Sequence, residues 1–162
     1  MSTTEEYLAN NETYAATFSG PLALPPARKL AIVTCMDARI DVYAILGLRR
    51  GDAHVIRNAG GVVTEDTVRS LTISQRLLGT RKIMLIHHTD CGMLTFTDDE
   101  FKREVEEDTK IRPPWAPEAF SHLEDDVLQS MRRIRVNPFI PHTGSLRGFV
   151  FDVDSGRLTE VK

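Results

Sequence analysis

Leu30-Ala-Ile-Val-Thr-Cys35 and Ile83-Met-Leu-Ile-His-His-Thr-Asp-Cys91 decide how this chain folds. Each is a short aliphatic run that breaks into polar residues at its carboxyl end, as expected of a buried strand in a parallel sheet. A third such run, 53–57, lies between them, and helical patterns separate the three. Val42, Ile45 and Leu46 belong to a short helix ended by Gly47. Val68, Leu71, Thr72, Gln75 and Leu78 describe a longer one, closed by Gly79, whose buried face is only partly apolar. Strand, helix, strand repeated in this way predicts right-handed crossovers and an α/β fold: a mainly parallel central sheet flanked by helices.

Upstream, Ser2 and Glu5 stand at capping-box spacing, and Tyr7, Leu8, Tyr14, Ala15 and Phe18 share one face of a helix over 2–18. Gly20-Pro21 and Pro25-Pro26 end it, so residues 1–26 read as a helical arm that docks on its own domain or clasps a second subunit. Downstream, Thr97 and Glu100 open a charged, solvated helix to Asp108. Arg112 to Pro117 is a Pro-rich loop in which Trp115 is an anchor. Pro117 is expected in the first turn of a helix with Phe120, Leu123, Val127, Met131 and Ile134 on its core stripe, stopped by Asn137-Pro138. Gly148 to Val153, the turn Asp154-Ser155-Gly156, and Arg157 to Val161 read as an antiparallel edge hairpin at the carboxyl terminus.

At 162 residues and 41% hydrophobic content, the chain suits one domain, 1–162, with a real core. A net charge of -3, with no basic stripe interleaved with aromatics, argues against a nucleic-acid partner. The apolar runs are strand-sized, so no membrane span is expected, and the acidic amino terminus resembles neither a secretory signal nor an anchor. Two cysteines without an export signal suggest a cytoplasmic location, where thiolates can hold a metal.

Ligands of an open parallel sheet bind beyond the carboxyl ends of its strands. Cys35 ends the first strand, Arg57-Asn-Ala-Gly-Gly61 follows the second, and His88 to Cys91 follows the third, so three strand ends converge on one crevice. Two thiolates and an imidazole form a ligand set that favours zinc, and three protein ligands leave a tetrahedral position open, the mark of a catalytic site. Cys35, Asp37 and Arg39 are two apart and point to one side of extended chain, where Asp37 can approach the metal while Arg39 holds its carboxylate. His88 and Cys91 reach one ion through a turn. His87 is the rival ligand, but alternation sends it to the opposite side from His88. His54 and His122 are joined to no other ligand by spacing and read as incidental.

At Cys35-Met-Asp-Ala-Arg39, Arg57-Asn-Ala-Gly-Gly61 and His88-Thr-Asp-Cys-Gly92 the chain resembles the beta-class carbonic anhydrases, in family order and in the compact form of the small bacterial and archaeal branch. The resemblance implies zinc on Cys35, His88 and Cys91, one ion per subunit, with Asp37 and Arg39 as the catalytic dyad. It implies reversible hydration of carbon dioxide to bicarbonate and a proton by zinc-bound hydroxide. It also implies a homodimer or higher homo-oligomer, with the amino-terminal arm packing on the partner subunit. Backbone N–H groups near Gly60 and Gly92 are expected to position a substrate oxygen. Ile32 stands where relatives with a bicarbonate inhibition pocket carry Trp, so that pocket is not expected. The rival readings are a hydrolase of carbonyl sulfide or carbon disulfide on the same scaffold, and a non-catalytic zinc-binding or regulatory protein.

Overall fold

Five strands form one sheet in the order β2-β1-β3-β4-β5 in a computed structural model that describes residues 2–162. β1 (Leu30–Cys35), β2 (Ala53–Asn58), β3 (Lys82–His88) and β4 (Leu146–Phe151) run parallel, and β5 (Leu158–Val161) closes the edge antiparallel to β4. The connections place β2 on one side of β1 and β3 on the other, so the order of the strands switches at β1 and β3. In register, Cys35 stands beside Asn58 and Thr34 beside both Arg57 and Ile86. The strand ends therefore stand together.

Alternation along the strands builds two apolar layers. Ala31, Val33, Ile83 and Leu85 face α3 (Glu65–Arg76) and α5 (Leu123–Arg135), meeting Leu71, Val127, Met131 and Ile134. Full burial of Leu71, Leu85 and Ile134 stabilises the fold by about 1.5–3 kcal/mol per side chain. Ile32 and Ile86 face the other way, toward Ile40 and Val42 at the start of α2 (Val42–Leu46). Here the cover is thinner: Leu30, Val55, Met84, Phe149 and Leu158 are only partly buried.

Local chemistry sets the helix ends. Asp41 accepts a hydrogen bond from Ala44 N–H and Gly47 takes the left-handed conformation, which confines α2 to five residues. Capping boxes open α1 (Thr3–Ala16) at Ser2/Glu5 and α4 (Asp98–Thr109) at Thr97/Glu100. α1 buries none of its residues: Tyr7, Leu8, Tyr14 and Phe18 are all at least half exposed. At the base of the helix Tyr14 and Phe18 meet the Arg50 side chain, the tyrosine hydroxyl 2.6 Å from Nη1 and the phenylalanine ring 4.4 Å from the guanidinium carbon.

One helix differs from expectation. α5 begins at Leu123, and Pro117 and Phe120 lie outside it. Glu118 takes a positive φ of 63°, and the N–H groups of Glu118 and Ala119 donate to the Asp98 carboxylate. A distant acid thus captures the donors that a helical first turn would have used. Phe120 packs instead against His87, its N–H bonded to the Met93 carbonyl.

Candidate metal centre

Cys35 is the last residue of β1 and His88 the last of β3, at the switch in strand order where open sheets bind ligands. One ligand atom from each of Cys35, His88 and Cys91 lies within 4.8 Å of the others, and all three residues are buried. His88 Nδ1 is 2.8 Å from the Thr89 carbonyl, so it carries the proton and donates. That leaves Nε2 as a lone pair. It is buried and has no hydrogen-bond partner. An orphaned imidazole nitrogen beside two sulfur atoms fits a borderline-soft metal ion such as zinc and leaves room for a fourth ligand. His87 goes to the other face, where its Nε2 meets Asp126 at 2.7 Å. His54 pairs with Ser74. His122 precedes α5 without a side-chain capping bond.

The two sulfurs are unequal. The neighbouring Cys91 thiol holds Cys35 below its ordinary value against the opposing effect of burial, helped by the N–H groups of Asp37 and Gly60. Cys91 is pushed up by that same contact and by burial. The two sulfurs thus favour sharing one proton between them, a proton that metal binding would displace.

Asp37 and Arg39 form a close pair. Arg39 Nε and Nη2 donate to Asp37 Oδ1 and Oδ2 at 3.0 and 2.8 Å, and the Arg39 backbone N–H adds a third bond at 2.8 Å. These bonds hold the Asp37 carboxyl well below the usual carboxylate range. Its Oδ2 lies 3.8 Å from His88 Nε2, at the edge of the cluster.

The glycines serve the cysteine loop first. Gly60 N–H donates to Cys35 Sγ at 3.3 Å. A Cβ on Gly61, at φ 69°, would come within 2.9 Å of the backbone of Thr34 and Cys35. Gly92 opens a short 3-10 turn (Gly92–Leu94), and a Cβ there would meet nothing.

Two residues of this surround carried no assigned role in the sequence reading. Arg57 donates to the carbonyls of Cys35, Asp37 and Ile40 at 2.9, 2.7 and 3.1 Å, clasping the loop that bears the dyad. The signal was the parallel register, which puts the end of β2 beside the end of β1. Asp90 contacts Arg39 from the second loop; its position between His88 and Cys91 was the only hint.

A family model described as carbonic anhydrase matches residues 30–158. Beta-carbonic anhydrase 1 of Mycobacterium tuberculosis is 63% identical over 161 residues, covering 99% of both chains. The chain belongs to the beta-carbonic anhydrases. Among solved members, the Streptococcus mutans carbonic anhydrase superposes with a TM-score of 0.93 at 40% identity, over 100% of this chain and 99% of that one. Carbon disulfide hydrolase of Saccharolobus solfataricus is also similar, 35% identical over 159 residues, with 83% of this chain and 78% of the hydrolase covered. A beta-carbonic anhydrase is a lyase, and the carbon disulfide hydrolases are its more distant relatives.

Proposed function

We propose that the chain catalyses reversible hydration of carbon dioxide to bicarbonate and a proton, with zinc held by Cys35, His88 and Cys91 and with Asp37 and Arg39 as the catalytic dyad. The observation that carries this reading is the orphaned His88 Nε2 in the sulfur cluster, with an ionised carboxylate 3.8 Å away. Zinc bound there supplies a hydroxide nucleophile near neutral pH, by lowering the pKa of a coordinated water to about 7. Asp37, ionised, would accept a hydrogen bond at Oδ2 from a nucleophile bound there and so direct its lone pair at the substrate carbon. Arg39 fixes the direction of that acceptor. The N–H groups of Gly60 and Gly92 are the candidates for holding a substrate oxygen, although Gly60 N–H already serves Cys35.

Stopped-flow hydration of carbon dioxide by protein of measured zinc content tests the proposal. Fast turnover that rises through neutral pH is expected. Zinc-replete protein inert toward carbon dioxide but active on carbon disulfide or carbonyl sulfide would move it to the hydrolases, and inertness toward all three would leave a binding protein.

The working unit we propose is a homodimer of single domains, residues 1–162, in which arm 1–26 packs on the partner subunit. Its support is the uncovered aromatic face of α1 and the thin cover over Met84 and Phe149. Light scattering of the whole chain and of a variant lacking residues 1–26 tests it; a monomeric whole chain would refute it. Among the described residues no helix is long and apolar enough to cross a membrane. Two free cysteines fit a cytoplasmic location.

A further inference from the structure

Arg39 is gripped from two loops at once. On one side its Nε and Nη2 donate to Asp37, two residues past the end of β1; on the other, Nη1 donates to Asp90 Oδ2 at 2.8 Å and Nη2 to the Asp90 carbonyl at 2.9 Å. Asp90 sits between His88 and Cys91, on the turn after β3. The guanidinium thus bonds to both loops bearing the proposed metal ligands.

We propose that Asp90 is a positioning residue for the reaction: its carboxylate anchors Arg39, and through Arg39 fixes the direction of Asp37. This rests on the hydration chemistry proposed above. An arginine held by Asp37 alone can swing with it as a unit, because both ends of that pair belong to one short loop. A second anchor on a different strand end removes that freedom. The pair is exposed, with 46% of the Arg39 side chain and 78% of the Asp90 side chain open to solvent. Surface pairs of this kind add little to stability. The consequence of the contact is therefore geometric.

The backbone of Asp90 makes the test clean. Its φ is 52°, a left-handed conformation that glycine adopts at no steric cost and that asparagine tolerates. Asp90→Gly keeps the turn and the carbonyl bond to Arg39 while removing the carboxylate. Asp90→Asn keeps the turn and one acceptor without the charge.

The experiment compares wild type, Asp90→Gly, Asp90→Asn, Arg39→Gln and the Asp90→Gly/Arg39→Gln double variant, each with zinc content and unfolding temperature measured. Asp90→Gly is expected to fold and load zinc as wild type does, yet to lose roughly 10- to 100-fold in kcat/KM for carbon dioxide, the range for groups that orient a metal site from behind. Asp90→Asn should recover part of that loss, and Asp90→Gly should add nothing in the Arg39→Gln background. In 15N NMR, the Arg39 Nη protons should be separately resolved in wild type and averaged by rotation in Asp90→Gly. Unchanged kcat/KM with unchanged Arg39 signals would overturn the proposal. So would an equal loss in the Arg39→Gln background, or a loss confined to kcat, which would make Asp90 a proton carrier. If wild type hydrates no carbon dioxide, the reaction has been misread; the Arg39 signals still decide whether Asp90 is the anchor.

Discussion

The loop after β1 and the loop after β3 each bring candidate metal ligands to the same point, yet they are held in opposite ways. Residues 35–40 are shaped from outside. Arg57 binds three of their carbonyls, Met36 N–H bonds to Asn58, and the Gly60-Gly61 turn lies directly against their backbone. Residues 89–94 are shaped by their own turn and the neighbouring strand. Thr89 N–H donates to Phe151, Thr89 Oγ1 accepts from Val153, and Leu94 N–H closes back on Cys91. The first loop takes three of its bonds from one distant arginine; the other spreads its support over several separate residues. The difference predicts where single substitutions are severe.

The largest effect erases the comparison. Cys35→Ser and Cys91→Ser each take a sulfur from the shared cluster, and both variants should purify with little zinc and no hydration activity. Retention of stoichiometric zinc by either, by elemental analysis, would remove that cysteine from the ligand set.

Next comes Gly61→Ala against Gly92→Ala. The first forces a Cβ onto backbone atoms and strains a left-handed residue, so it should cost about 2 kcal/mol or more by denaturant unfolding. The second meets nothing and should stay within about 0.5 kcal/mol of wild type. Equal costs would show that the loops are not supported differently.

Arg57→Ala against Thr89→Ala sharpens the point. Loss of charged donors to three carbonyls should cost about 2 kcal/mol, and Arg57→Lys should restore little because it lacks the planar fork. Loss of the single Thr89 acceptor should cost about 1 kcal/mol.

The smallest effect is a pH dependence. Arg39 depresses the folded-state pKa of Asp37, so its contribution to stability is fully present above the unfolded value of about 3.9 and is lost as pH falls through the folded value. The gap in unfolding temperature between zinc-free wild type and zinc-free Arg39→Gln should hold from pH 7 to 5 and shrink below about pH 4. A gap that widens on acidification would contradict the depressed pKa.

What could be read in the sequence follows the same division. Strands β1, β2 and β3, the Gly47 stop and both capping boxes depend on residues near one another in the chain, and each stands within a residue or two of expectation. The convergence of Cys35, His88 and Cys91 was legible because cysteine and histidine have few other reasons to end adjacent strands. The start of α5 was not, because Asp98 lies about twenty residues from the N–H groups it takes. The clasp by Arg57 was hidden for the same reason: an arginine reads as surface charge until the register shows three carbonyls in front of it. On α3 the buried positions are Thr67, Leu71, Ser74 and Gln75. There Gln75 exchanges two hydrogen bonds with the His142 backbone, which explains a polar residue on a core face.

The bare helix α1 has one more consequence. An isolated segment of 14 residues is marginal as a helix in water, even with a good cap. Since α1 buries none of its own residues against the domain, the proposed homodimer would lend it order by covering Tyr7, Leu8, Tyr14 and nearby Phe18. On that proposal the amide protons of residues 6–16 gauge association: their exchange with deuterated solvent should slow as protein concentration rises, while those of β1 and β3 keep one rate throughout.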